Sequence, residues 1–275
     1  MRCAANLHAD ALGAWSGQIR LPARVWVAAA AAVGLLPSSL ELFCGRAGER
    51  APIMVQHLHH SPICIRLASS TDLPRLQLLE RFQPAGLQAS SDTILRRIAQ
   101  HPRGQMVATC RVSGEVVGAI YTQRVLSEER LMDQNVESEL DLHDPTGAVV
   151  QLISLVAVPG KCANFAIGST LRDYMLLLIS LDETVRIICG VTRCREYVAT
   201  CGQSYEAYAR RGSDCGLKFH LTAGAKFVQV INGYRPSDSA NCTNGVLVRY
   251  ELRDCAHRLQ SVVCDPGRAN EAACA

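Results

Sequence analysis

The run Val149-Val-Gln-Leu-Ile-Ser-Leu-Val-Ala-Val158 constrains the fold more than any other stretch of the chain. A nearly continuous apolar segment of this length, broken by Pro159-Gly160, is what a strand covered on both faces looks like. Such a strand belongs in the middle of a sheet, and a sheet covered on both faces needs helices on each side. Ala166-Ile-Gly-Ser-Thr170 then leads into Leu171-Arg-Asp-Tyr-Met-Leu-Leu-Leu-Ile179, a helix apolar enough to lie against that sheet. Strand, Gly-bearing turn and helix N-terminus together leave free backbone N–H groups where phosphate binds well.

Order begins near Ile63, where Ile63-Cys-Ile-Arg-Leu67 alternates as a half-buried strand. Ser70 to Asp72 and Pro74 open a helix to about Phe82, and Ser90 or Ser91 caps a second one ending before Pro102-Arg-Gly104. Gln105 to Val112 and Val116 to Arg124 form two strands joined at Ser113-Gly114. The acidic stretch 126–147 reads as a solvated helix and loop over the sheet. After the apolar helix come a strand at Arg186 to Val191, a helix at Ser204 to Arg211 and a short helix at Phe219 to Ala223. Strands at Lys226 to Ile231 and Gly245 to Leu252 close the order. The expected fold is α/β (α+β), a mixed sheet with helices on both faces.

With aromatics at 5% and apolar residues at 48%, the core is built from Val, Ile, Leu and Ala. A net charge of +3 and the lack of a basic tract with interleaved aromatics argue against nucleic acid as a partner. Thirteen cysteines occur without a Cys-x-x-Cys pair, which fits reduced thiols in an intracellular, cytoplasmic protein. Asn241-Cys-Thr243 matches a glycosylation acceptor, a triplet common by chance.

Residues 1–61 read as an N-terminal extension, 62–252 as the folded domain and 253–275 as a tail without periodicity. The apolar run Val25 to Leu36 follows Arg20 and Arg24, as in a targeting segment, but is too short to span a bilayer. A packed or disordered lead-in is the preferred reading over an organelle-targeting signal. His57, His59 and His60 read as linker, and no metal site is expected.

Three separated segments place a polar group beside an apolar run: Gly190-Val-Thr-Arg-Cys-Arg-Glu-Tyr197, Leu217-Lys-Phe-His220 and Gly233-Tyr-Arg-Pro236. Thr192, His220 and Arg235 supply a hydroxyl, an imidazole and a fixed positive charge, a set suited to a carboxylated acyl thioester. Each has a plainer alternative: a surface or capping Thr, a satisfied half-buried His, and an Arg that braces its turn.

Taken in order, Val191 to Tyr197, Ser204-Tyr-Glu-Ala-Tyr208, Phe219-His220, Gly233 to Asp238, Gly245 to Tyr250 and the hairpin Gly118-Ala-Ile-Tyr-Thr-Gln-Arg124 resemble the GNAT-like domains of polyketide synthase loading modules. The resemblance covers about residues 63 to 252 and places the chain in the GNAT acyltransferase superfamily, with its mostly antiparallel sheet. It implies decarboxylation of malonyl-CoA and transfer of an acetyl group to the phosphopantetheine thiol of an acyl carrier protein. Thr192 and His220 match the family's catalytic Thr and His, and Arg235 a supporting Arg. The strand residues Val156 and Val158 and the helix start Gly168, Ser169 and Thr170 match its coenzyme A site.

Two positions depart from the family pattern. The pyrophosphate loop reads Ala163, Ala166 and Gly168, so only its second Gly is present, with Lys161 nearby to compensate by charge. Gln83 stands where relatives carry a Trp that lines the substrate pocket.

Loss of CO2 leaves an enolate that needs hydrogen-bond donors, and Thr192 and His220 share the roles of enolate donor and carboxylate holder without the sequence assigning them. His220, with a pKa near neutrality, is expected to protonate the carbanion as well. Arg235 either orients the departing carboxylate or orders the site. Arg193, Arg195, Arg210 and Arg211 read as solvated charges, or else meet an acidic carrier protein. Three other functions compete: an N-acetyltransferase with Tyr197 or Tyr205 as its acid, an acyl-CoA or carrier-protein binder without turnover, and a fragment of a larger synthase.

Overall fold

The central strand forms where the apolar run predicts it, and the rest of the sheet grows outward from it. The computed structural model describes residues 61–252, apart from 133–135, 163–165, 181 and 200–201. The expectations for residues 1–60, for Ala163 and for the tail from residue 253 lie outside the described residues.

In chain order the elements are β1 (Ile63–Leu67), α1 (Leu73–Glu80), α2 (Ser91–Gln100), β2 (Gln105–Cys110), β3 (Val116–Val125) and the short α3 (Glu129–Met132). There follow β4 (Val149–Ala157), α4 (Ile167–Ser180), β5 (Ile187–Thr192), α5 (Tyr205–Arg210), α6 (Cys215–Leu221), β6 (Ala225–Ile231) and β7 (Gly245–Tyr250). The strands lie in the order β1-β2-β3-β4-β5-β7-β6. Only β4 and β5 are parallel; every other neighbouring pair is antiparallel. The mixed, mostly antiparallel sheet matches the expectation.

Helices cover both faces. On one, α4, α5 and α6 bury Leu171, Met175, Ala209 and Leu217 against Val150, Leu152, Ile188 and Val248. On the other, Leu76, Leu79 and Ile94 of α1 and α2 pack on Tyr121, Ile153 and Val156. Each such side chain, once buried, contributes about 1.5–3 kcal/mol. Gly118 on β3 is what lets α4 come close: a Cβ there would stand 2.8 Å from Ile167 Cγ2 and 2.9 Å from Leu171 Cδ1.

The feature that positions the site is a defect in β4. Leu152 pairs with Thr122 and Ser154 with Tyr121, so Ile153 is an extra residue, a β-bulge. Pairing of β4 with β5 stops at Leu152 opposite Gly190, and beyond it β4 continues with β3 alone. The C-terminal half of β4 therefore presents an open backbone edge toward β5.

The acidic stretch 126–147 forms short helices with Glu129 and Asp141 exposed, as its solvated reading expects, but departs from that reading at two carboxylates. Glu128 and Glu139 are buried because the sheet supplies them with partners. Arg249 Nε donates to Glu128 Oε1 at 3.0 Å. Gln151 Nε2 and the Tyr234 hydroxyl donate to Glu139 Oε1 at 2.5 and 3.1 Å. Asn241 is buried too, at 1% exposure, so the Asn-Cys-Thr triplet is closed to modification in the folded chain. The second short helix starts at Cys215 rather than Phe219, because Asp214 caps it by accepting from the N–H groups of Gly216 and Leu217.

Candidate active site

Thr192 and His220 reach the same face of the sheet. Ile188, Gly190 and Thr192 alternate along β5 on the side of α4 and α6, opposite Tyr250, Val248 and Val246 of β7. The Cε1 edge of the His220 ring, carried by α6, lies 3.8 Å from where a Cβ would stand on Gly190, and Leu152 and Val248 line the same spot. A Cβ at position 190 would meet all three at ordinary van der Waals distance, which marks Gly190 as the spot on β5 against which the ring packs. Thr192, half-buried, is the next residue on that face.

His220 is held on two sides. Its Nδ1 is 2.7 Å from the hydroxyl of Tyr250, a buried β7 residue. The guanidinium of Arg172, on α4, lies 4.3 Å over the ring of Phe219 and donates to the Phe219 carbonyl, the residue just before His220. Burial, with the Arg172 charge adding to it, pushes the His220 imidazole down to about 3. The ring is thus neutral at physiological pH. This corrects the expectation of a histidine titrating near neutrality: the apolar face that positions it also removes its charge.

The segment after Thr192 is clamped. Asp214 Oδ2 accepts from the Glu196 N–H at 2.8 Å while Oδ1 accepts from the Gly216 N–H at 2.8 Å. The Cys194 N–H donates to the Tyr205 hydroxyl at 3.0 Å. Tyr197 meets Tyr205 and Tyr208 edge to face, with centroids 5.0 and 5.3 Å apart. The segments around Tyr197 and Tyr205 are therefore one packing unit that fixes the end of β5. Both hydroxyls proposed as acids are engaged: Tyr197 donates to the Gln203 carbonyl at 3.0 Å, and burial raises Tyr205.

The open edge of β4 lies next to this group. The Val158 N–H donates to the Val117 carbonyl at 2.9 Å, and the register turns the Val156 backbone toward β3 as well. The residues whose backbone groups face the open edge are Leu155 and Ala157. The bulge is the cause, since one extra residue reverses which positions point outward. Gln83 occupies part of that edge, its amide donating to the Leu155 carbonyl at 3.3 Å. Gly168 sits beside it; a Cβ there would stand 3.2 Å from Leu155 Cδ2 and 3.9 Å from Phe219 Cε2.

Gly168 and Ser169 lie in the first turn of α4, where backbone N–H groups have no partner within the helix. Thr170 differs: its N–H and hydroxyl both donate to the Ala166 carbonyl, at 2.9 and 3.0 Å. Lys161 pairs with Glu115, Nζ to Oε2 at 3.5 Å.

Arg235 is half-buried in the turn after β6. Its guanidinium is 5.6 Å from the ring of Tyr234, whose hydroxyl joins Glu139 and Gln151 on the opposite face. Arg193, read as a solvated charge, instead pairs with the buried Asp238, Nε to Oδ2 at 3.1 Å. That pair ties the Thr192 segment to the Gly-Tyr-Arg-Pro turn. Arg210 pairs with Glu206 on the surface, at 2.7 Å.

Sequence reasoning missed Arg172, Tyr250 and Asp214. A lone Arg inside the apolar run of α4 was the available signal for the first, and an Asp just before a short helix for the last. Tyr250 closes the Gly245 to Tyr250 motif, which carried the resemblance without marking the Tyr as a site residue.

No family model matches the chain, and no curated protein does. Solved structures do, among them these two. The GphF GNAT-like decarboxylase, in complex with isobutyryl-CoA, is 37% identical with a TM-score of 0.64, the match covering 68% of this chain and 98% of that one. The loading GNATL domain of CurA from Lyngbya majuscula is 31% identical with a TM-score of 0.64, covering 70% of this chain and 98% of that one. At these identities over nearly the whole of both relatives, the chain belongs to the GNAT-like loading domains of polyketide synthases.

Proposed function

We propose that this chain decarboxylates a malonyl-type coenzyme A thioester and loads the resulting acyl group in polyketide initiation. The observation that carries this is the grouping of His220, Gly190 and Thr192 on one face, beside the open edge of β4, in a chain 37% identical to a GNAT-like decarboxylase. The pantetheine arm runs along the Leu155 and Ala157 edge as an added strand would, and the first turn of α4 offers N–H groups to the phosphates.

The reaction breaks the bond between the carboxylate carbon and Cα of the malonyl group. Its electron pair moves into the thioester carbonyl, CO2 leaves, and an enolate remains until Cα takes a proton. Thr192 Oγ1 and the neutral His220 ring donate to the enolate oxygen. A neutral imidazole is suited to this, since it donates a hydrogen bond without transferring its proton. This reading takes the Tyr250 hydroxyl as the donor to Nδ1, which keeps the ring proton on Nε2. The proton for Cα then comes from solvent, because an imidazolium at His220 is scarcely populated near neutral pH. Arg235, beside Tyr234 and Glu139, orders the site from the far side of the sheet.

An N-acetyltransferase reading finds no support in Tyr197 or Tyr205, whose hydroxyls are engaged in holding the β5 end. For transfer, the exposed Arg195 and Arg211 give a carrier protein a basic surface to meet. The test is intact-mass spectrometry of a holo carrier protein incubated with malonyl-CoA and this chain. An acetyl adduct that requires the active chain supports loading. A malonyl adduct, or none, with no acetyl-CoA formed, overturns the reading.

A further inference from the structure

The open edge of β4 already holds a hydrogen-bond donor from the loop after α1. Gln83 donates its side-chain amide to the Leu155 carbonyl at 3.3 Å, and Leu155, with Ala157, turns its backbone away from β3. A Gln side chain carries the same donor as a peptide unit, an amide N–H. Gln83 therefore makes with β4 the contact that an added strand would make.

The side chain of Gln83 can leave this edge while its backbone stays. The Gln83 N–H donates to the Glu80 carbonyl at 2.8 Å, and the Gln88 side-chain amide donates to the Gln83 carbonyl at 3.0 Å. The buried Glu80 accepts the Ala89 N–H on Oε2 at 2.9 Å, which closes the loop back onto α1. The Ser237 hydroxyl donates to the Gly86 carbonyl at 3.0 Å and fastens the loop to the turn that carries Arg235. Beside these shorter bonds, the 3.3 Å contact is made by an unbranched, half-buried side chain and is the first to give. Rotation about the Gln83 side-chain torsions uncovers the Leu155 carbonyl with the loop in place.

We propose that Gln83 sets the affinity of this edge for amide-bearing ligands: its amide holds the Leu155 carbonyl until a ligand N–H replaces it. The inference rests on the coenzyme A reading, since the pantetheine arm is the part of that molecule built on amides. Exchange of one donor for another leaves the number of hydrogen bonds to Leu155 unchanged, so the arm gains little at this carbonyl. A ligand without an amide does not compete for it. Gln83 thus weakens binding of the arm and leaves the nucleotide end unaffected.

Calorimetric titrations of the wild-type chain, Gln83→Ala and Gln83→Met test this, with coenzyme A and with adenosine 3′,5′-bisphosphate, which lacks the arm. Both substitutions remove the donor, and Met keeps the length. The Kd for coenzyme A is expected to fall about three- to tenfold in both variants, the effect of one hydrogen bond, with little change for the bisphosphate. Coenzyme A bound no more tightly by the variants overturns the proposal and leaves the coenzyme A reading standing. A gain in Gln83→Ala alone overturns it too, because bulk rather than the donor would then be the cause, as does an equal gain for the bisphosphate. Coenzyme A bound by none of the three chains overturns the coenzyme A reading, and the proposal with it.

Discussion

The Nδ1 of His220 and the hydroxyl of Tyr250 are 2.7 Å apart, and this contact joins α6 to β7 beside Gly190. Tyr250→Phe keeps the buried ring and removes the hydroxyl. We expect decarboxylation kcat to fall about tenfold with KM little changed, the loss of one positioning hydrogen bond. The 15N shifts of His220 are expected to move toward mixed tautomers in the same variant. Unchanged shifts and rates would mean that Tyr250 only packs.

The pH behaviour follows from a histidine kept neutral. Burial lowers His220 from the ordinary 6.5 to about 3, and His101, also buried, to about 4. In acid the unfolded chain binds these protons first, so stability is complete above about pH 6.5 and is lost progressively as pH falls toward the folded values. Urea midpoints measured across that window are expected to drop, less steeply in His220→Gln. Turnover is expected to stay flat between about pH 6 and 8, without an acid limb from His220. A limb near 6.5 that disappears in the variant would place an imidazolium in the reaction.

Arg172 holds the helix that carries His220, through the Phe219 carbonyl and ring. Arg172→Met leaves the carbonyl without its donor and removes a neighbouring positive charge. A stability loss of about 1–3 kcal/mol is expected by denaturant melt. NMR titration is expected to show the His220 pKa rising above the wild-type value. A fall in stability without that rise would make Arg172 a structural anchor only.

The clamp on the end of β5 can be broken from α6. A Cβ on Gly216 would stand 2.6 Å from the Arg193 carbonyl, so Gly216→Ala must displace the backbone beside Thr192. A loss of about 1–3 kcal/mol is expected, with kcat reduced more than KM is raised. Asp214→Ala, which leaves the N–H groups of Glu196, Gly216 and Leu217 without their acceptor, is expected to cost at least as much.

Much of the fold was legible because its signals are local. The apolar run of β4, the period of α4, the Ser90 cap and the Ser113-Gly114 turn each state their own conformation. Thr192 and His220 stood out as polar groups beside apolar runs, and the fold carries them to one face. The bulge at Ile153 was not legible: no Gly or Pro marks it, and it shifted the open edge from Val156 and Val158 to Leu155 and Ala157. Partners far along the chain decided the rest. Glu128 and Glu139 are buried because Arg249, Gln151 and Tyr234 meet them, and Arg193 is drawn half under because the buried Asp238 pairs with it. His220 lost its ordinary pKa to the apolar face that Phe219, Tyr250 and Gly190 build around it. Charge pattern along the sequence contains none of these distances.

The most direct measurement is CO2 release from malonyl-CoA by the wild-type chain, Thr192→Val, Thr192→Ser and His220→Ala, each shown folded by its circular dichroism and melt. We expect Thr192→Val and His220→Ala each to lower the rate by about 10²–10³, the effect of removing one enolate donor, with Thr192→Ser retaining most of it. Rates within twofold of wild type in both disabled variants would contradict the account and move the chemistry away from the β5–α6 face.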